Sequence, residues 1–351
     1  MTELAHSFAA TWWGWVAPVA VQFAVLFALV AALDRVLPRR TWPQLRLAMW
    51  TLAMVKLALP PWVASPWSAL PALAADRFAF VAGDGPAPAW ALVVPVVWLA
   101  VAAGVAIAGF ARARRCRRHW DRGEVTPTAE IVAAYAAAAA LAGARRAPRL
   151  VVTTTAPGPL FAGIWRPAVY LPDRLAASSS RGELEHVLVH ELAHWQRRDA
   201  WWCLALTLIQ VAFWFHPLVW IAGARIAVVR EHCCDRTVVA RLGGAGDGYR
   251  KSLLAAAARV AFADAPALPL LLPRASLRLR LDLIADAAGE RAWLRRAAMV
   301  ALLGGVAVVG VPVASAAEGA AHALADRIER PPGCLPLRFL VLERMAKERS
   351  R

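Results

Sequence analysis

Four long apolar stretches stand out along the chain. Residues 7–33, 85–111 and 297–317 carry no charged side chain, and residues 47–64 carry only Lys56. An α-helix rises 1.5 Å per residue, so roughly 20 apolar residues cross the bilayer core. The pattern predicts four membrane-spanning helices, at about 7–33, 42–64, 86–111 and 297–317. The second reaches span length only if residues 42–46 sit among the headgroups. Trp12, Trp13, Trp42, Trp62 and Trp90 fall near the expected ends, where an amphipathic indole ring favours the interface.

Between the third and fourth stretches the pattern changes. Residues 126–143 are Ala-rich and read as a helix stopped by Gly143. Val151–Thr155 reads as a strand, Pro157-Gly158-Pro159 as a break, and 163–171 as a second strand closed by Pro172. The two are expected to pair antiparallel as a short β-hairpin with one free edge. That edge could align an extended peptide by strand addition, or the hairpin could simply cover the next helix. Residues 182–198 read as that helix, with Ser178, Ser179 or Ser180 as its cap. Residues 200–222 are apolar enough for another span. A full crossing, however, would carry the basic residues of 225–251 outside and reverse the charge bias of the last span. Pro217 offers another solution, because proline breaks a helix interior but suits a first turn. A helical hairpin is therefore expected, with arms at about 200–215 and 217–240, dipping toward the membrane. Asp199 is placed to cap its first arm.

Composition agrees with an integral membrane protein: 60% of residues are hydrophobic. The net charge of +16 is concentrated beside the spans, as at Arg35, Arg39, Arg40 and Arg46 and again at Arg291, Arg295 and Arg296. The loop 65–84 has only Arg77 against Asp76 and Asp84. Arginine flanks the cytoplasmic ends of spans. This predicts a multi-pass membrane protein, with both termini outside and residues 112–296 in the cytoplasm. The first stretch is read as a retained span, since its charge follows it. The basic excess faces anionic lipid, and no basic helix carries polar readout residues, so no direct nucleic-acid contact is expected. Five scattered cysteines make no disulfide framework.

The chemistry lies in His190-Glu191-Leu192-Ala193-His194. Residues i and i+4 share a helix face, so both imidazoles can reach one zinc ion with Glu191 beside them as general base. From Pro217 to Glu231 the second arm rises about 21 Å, roughly the length of the first arm. An antiparallel hairpin thus returns Glu231 to the level of the histidines, as a third ligand that leaves one position open. Asp235, at i+4 from Glu231, is placed to hydrogen-bond the outer nitrogen of a ligating histidine. Asp199 is counted with it as a residue behind the ligands. The competing reading makes Glu231 and Asp235 a surface paired with Arg230 and Arg236. His186, one turn before His190, is assigned a supporting polar role. Lys56 is either functional or snorkels to the interface.

Several segments together carry a resemblance. They are Arg46-Leu47-Ala48-Met49-Trp50 with Lys56 and Pro60, Pro157 through Gly163, and Arg166 through Pro172. Glu185, the histidine motif, Arg197-Arg198-Asp199, Trp214 through Trp220 and Glu231-His232-Cys233-Cys234-Asp235 complete the set. Over roughly residues 12–315 the chain resembles the BlaR1/MecR1 membrane metallopeptidases, the M56 peptidases. The resemblance implies a mainly α membrane protein of four transmembrane helices (1–111 and 297–317) around a cytoplasmic α+β gluzincin-like zinc domain (112–296). It implies one Zn2+ on His190, His194 and Glu231, with Glu191 as catalytic base. It also implies cleavage of a winged-helix repressor, and self-cleavage in many members. The antibiotic-sensing members carry a penicillin-binding domain after the last span. Here the tail at 318–351 is short and has no Ser-x-x-Lys motif, so direct β-lactam sensing is not expected.

The expected activity is that of a signalling zinc endopeptidase acting on a cytoplasmic repressor. General membrane-protein processing or quality control is an alternative, and so is a non-catalytic transducer braced by zinc. Tyr135, Tyr170, Tyr249 and His232 are unranked candidates for an oxyanion donor. The trigger, the cleavage site and the oligomeric state are not encoded in any recognisable motif.

Overall fold

The computed structural model describes residues 2–37, 43–59, 89–244, 246–261, 274–285 and 304. The expected fourth span at 297–317 (Gly304 aside) and the tail at 318–351 lie outside the described residues. The chain runs α1 (Thr2–Val36), α2 (Pro43–Ala58), α3 (Ala89–Arg122), β1 (Glu124–Val125) and α4 (Ala129–Ala142). It continues with β2 (Arg149–Thr153), β3 (Leu160–Ala162), β4 (Ala168–Pro172), α5 (Asp173–Ser178) and α6 (Arg181–Gln196). The series ends with α7 (Asp199–Ala212), α8 (Pro217–Arg241), α9 (Gly246–Ala261) and α10 (Arg274–Ala285).

Among the described residues two helices are long and apolar enough to cross a membrane: α1, within Val19–Val36, and α3. On α3 the apolar side chains Val93, Val96, Val97, Leu99, Ile107 and Phe110 are exposed. α3 also continues past the expected span to Arg122, and there Asp121 accepts a hydrogen bond from Tyr170 of β4 at 2.7 Å. α2 is 16 residues long, about 24 Å of helix rise, and falls short of a span by itself.

Two apolar clusters organise the packing. The first joins α1 (Val19, Phe23), α2 (Met49, Trp50), α7 (Leu206, Ile209) and the first half of α8 (Val219, Ile226). The second joins α4, β2, β4, α6, α9 and the far end of α8 at Val238 and Val239. α8 therefore ties the two together. The α7–α8 turn lies against the N-terminal helices: Trp98 Nε1 donates to Ala212 O at 2.7 Å, and His216 Nε2 sits 3.2 Å from Ala20 O.

Local chemistry accounts for the boundaries near the site. Ser180 and Glu183 form a reciprocal capping box at the start of α6. Thr128 caps α4, and Gly143 ends it in the left-handed region at φ 69°. Pro217 opens α8, where its missing N–H costs nothing.

The sheet corrects the sequence expectation. Its order is β1-β2-β4-β3, and β2 runs parallel to β4 with Val151 opposite Tyr170. The expected antiparallel pairing of 151–155 with 163–171 does not form. Instead, β3 folds back antiparallel on β4, with Phe161 opposite Val169. The expected second strand is shorter, because Gly163 turns the chain at φ 100° and only Ala168–Pro172 is extended as β4. All five residues of β4 are buried, as suits an interior strand flanked on both sides.

A candidate metal centre between α6 and α8

His190 and His194 lie one turn apart on α6, with ring centroids 5.0 Å apart. α8 returns antiparallel through the hairpin and brings Glu231 opposite them. Glu231 Oε2 is 3.3 Å from His190 Nε2, and Oε1 is 3.6 Å from His194 Nε2. The three donor atoms fall within 4.8 Å of one another. Both histidines thus turn the same nitrogen toward the carboxylate.

Their outer nitrogens are held differently. His194 Nδ1 is 2.8 Å from Asp199 Oδ2. Asp199 makes no capping bond to α7: the cap residue is Arg198, at φ 58°. Its expected capping role is therefore replaced by direct support of His194. His190 Nδ1 lies 2.9 Å from the Tyr249 hydroxyl, which donates to Asp235 Oδ1 at 2.7 Å. Since Tyr249 donates to Asp235, its oxygen accepts from His190 Nδ1–H. Asp235 itself is 3.3 Å from that nitrogen. In both rings the outer nitrogen donates, so the ring in its neutral form presents the Nε2 lone pair to a metal.

Arg280, from α10, completes the arrangement. It is buried and grips Asp235 with two donors, Nε to Oδ2 and Nη2 to Oδ1, each at 2.7 Å. Its Nη1 is 3.3 Å from Glu231 Oε2. The sequence reading did not find Arg280. A signal existed nonetheless, since two carboxylates buried on one helix face require a distant cation. Arg230, beside Glu231 in sequence, reaches Cys203 Sγ at 2.7 Å.

The electrostatics are those of a cation site. Burial opposes charge on Glu231, but hydrogen bonding to His190 and the charges of His194, His190 and Arg280 hold its carboxyl well below the usual range. Burial likewise opposes charge on Asp235, and Arg280 overrides it. Burial disfavours a charged His190, yet hydrogen bonds to Asp235 and Glu231 raise it to about 10. The residues present fit a divalent ion: two imidazole nitrogens, one carboxylate and fixed tautomers. A second group, His194, Asp199 and Cys234, also comes close enough to hold an ion. Burial pushes the Cys234 thiol far up, however, and metals bind the thiolate. That group is better read as support for His194.

Glu191 is 6% exposed, and among the described residues its carboxylate makes no hydrogen bond or ion pair. His186 pairs with Ser252 Oγ at 2.8 Å, outside the cluster. Of the oxyanion candidates, Tyr135 donates to Pro148 O at 2.6 Å and Tyr170 to Asp121, so both are engaged elsewhere. Tyr249 is committed behind His190. His232 is buried, its Nε2 lacks a partner among the described residues, and burial lowers it to about 4.

Regulatory protein BlaR1 of Bacillus licheniformis is 34% identical over 84 residues, covering 24% of this chain and 14% of that protein. The methicillin resistance mecR1 protein of Staphylococcus aureus is 26% identical over 81 residues, or 23% and 14% of the two chains. The Staphylococcus epidermidis mecR1 protein matches to the same extent. The match thus spans about 14% of the length of these relatives. The profile of the family described as BlaR1 peptidase M56 matches residues 15–284, most of the chain, and to that family the chain belongs.

Proposed function

We propose that the protein is a membrane-embedded zinc endopeptidase of a bacterial signalling pathway. It cleaves a cytoplasmic protein, of which a winged-helix transcriptional repressor is the type the family suggests. One observation carries the reading. Two imidazole nitrogens and a carboxylate converge with outer partners on both rings, and Glu191, next to His190 on α6, makes no hydrogen bond or ion pair among the described residues. His190, His194 and Glu231 hold the ion, and Tyr249 and Asp199 keep the two rings in the ligating tautomer. When bound, zinc lowers the pKa of its water and polarises the scissile carbonyl. Glu191 accepts a proton from the attacking water and delivers it to the leaving amine. Glu191 is 6% exposed, and this seclusion strengthens its electrostatic action.

The protease domain is assigned to the cytoplasm on the arginine distribution, with the α7–α8 hairpin dipping into the bilayer beside α1 and α3. The experiment compares protein N-termini in cells carrying the wild-type chain or Glu191→Ala. New termini on a cytoplasmic regulator, present only with the wild type, are expected. Identical sets of termini would contradict the reading.

A further inference from the structure

A buried ion cluster lies away from the metal donors, on the helices that share the first apolar cluster. Asp34, near the end of α1, is 8% exposed, and its Oδ1 pairs with Arg46 of α2, which is 4% exposed. Its other oxygen accepts from Arg225 Nε of α8 at 2.8 Å. Arg46 also donates to Asp34 O at 3.1 Å and to Leu37 O at 2.7 Å, so it satisfies carbonyls at the end of α1. One carboxylate therefore joins three helices.

Arg225 precedes Glu231 by six residues, about 9 Å of helix rise. The intervening residues are Ile226, Ala227, Val228, Val229 and Arg230, with no glycine or proline to yield. A shift of α8 at Arg225 is thus passed on to Glu231. Also in this half of α8, Val219, Ala222 and Ile226 join the apolar cluster containing Leu45, Met49 and Ala53. Such contacts are non-directional and tolerate axial sliding. Hydrogen-bonded charges do not, and fixing register is the best-attested role of a buried ion pair.

We propose that Asp34, held between Arg46 and Arg225, is a positioning residue that fixes the axial placement of α8 on the N-terminal helices. In this way it sets the distance of Glu231 from His190 and His194. The inference rests on the metal-site reading above. It makes α1 and α2 the elements whose movement alters the metal site.

The test uses the full chain in detergent micelles, with zinc affinity read by chelator competition and coordination read from the visible absorption of the cobalt-loaded protein. Arg225→Gln is expected to retain the helix content, lose about 10-fold in zinc affinity and shift the cobalt spectrum. Arg225→Lys keeps a charge beside Asp34 and is expected to recover most of the affinity. Asp34→Asn is expected to behave like Arg225→Gln. Should it fail to fold, Arg225→Gln decides, because the Arg225 side chain is 33% exposed and tolerates replacement better. Unchanged zinc affinity and an unchanged cobalt spectrum in Arg225→Gln, even with a lower melting temperature, would overturn the proposal and reduce the cluster to a brace. A wild-type chain that binds no zinc would overturn the metal reading itself, and this proposal with it.

Discussion

His190 and His194 share a helix face but not a support. Asp199 reaches His194 directly, whereas a tyrosine hydroxyl stands between His190 and Asp235. Groups behind a ligand commonly contribute 10- to 100-fold in metal affinity. Asp199→Asn is expected to weaken zinc binding by about that range. Tyr249→Phe is expected to lose about 10-fold, because Asp235 remains 3.3 Å away to take over in part. Chelator competition measures both, and equal affinity to wild type would remove these roles. Without an ion His190 is raised to about 10 from its ordinary 6.5. Its ion-pairing contribution to apo stability is therefore complete below pH 6.5 and fades as pH rises toward 10. Zinc needs the neutral ring, so binding in that window must expel a proton, and affinity must rise with pH. Calorimetry at pH 7.5 in buffers of different ionisation heat should count about one proton released per ion; none released would contradict the assignment. The residues found from sequence share helical spacing: His190 with His194, and Glu231 with Asp235. Tyr249 was only one of several donor candidates, and Arg280 went unnoticed. Each sits on a separate helix at no fixed interval from the motif, and their contacts are purely tertiary.

At the scale of elements, helices were the most readable part. A 3.6-residue period, Gly143, the serines before α6 and Pro217 mark their limits through local chemistry alone. Which serine caps α6 needed the structure: Ser180 Oγ accepts from Glu183 N at 3.3 Å while Glu183 Oε2 accepts from Ser180 N at 2.9 Å. Ser180→Ala is expected to cost about 1 kcal/mol in denaturant unfolding, and no change would show that tertiary packing alone holds this end. Two strands were expected as neighbours and are, but β2 runs parallel to β4 rather than antiparallel. A period of two says which residues face a core and nothing about the direction of the strand alongside. The short β3, with only three residues, carried too little pattern to be read as the second neighbour of β4. Gly163 is where the error began, since its turn separates β3 from β4 at φ 100°. A Cβ there would press on the Arg166 carbonyl, so Gly163→Ala is expected to destabilise the domain by more than 1 kcal/mol, roughly. A stability equal to wild type would show that the turn can relax.

At the scale of the molecule, α8 belongs to both apolar clusters and carries Arg225, Glu231 and Asp235 along one rod. It packs against α1 and α2 as well as against α6, α9 and α10. The lipid-facing reading of α1 and α3 predicts that the chain stays in the membrane fraction through an alkaline carbonate wash and leaves only with detergent. Release by carbonate alone would contradict it. The central claim is that a single zinc ion on His190, His194 and Glu231 serves a peptidase whose base is Glu191. The most direct test measures zinc content and cleavage together, in purified wild-type and Glu191→Ala protein. The expected result is one zinc per chain in both, with cleavage only in the wild type. Cleavage by the zinc-loaded Glu191→Ala protein at the wild-type rate would contradict the account.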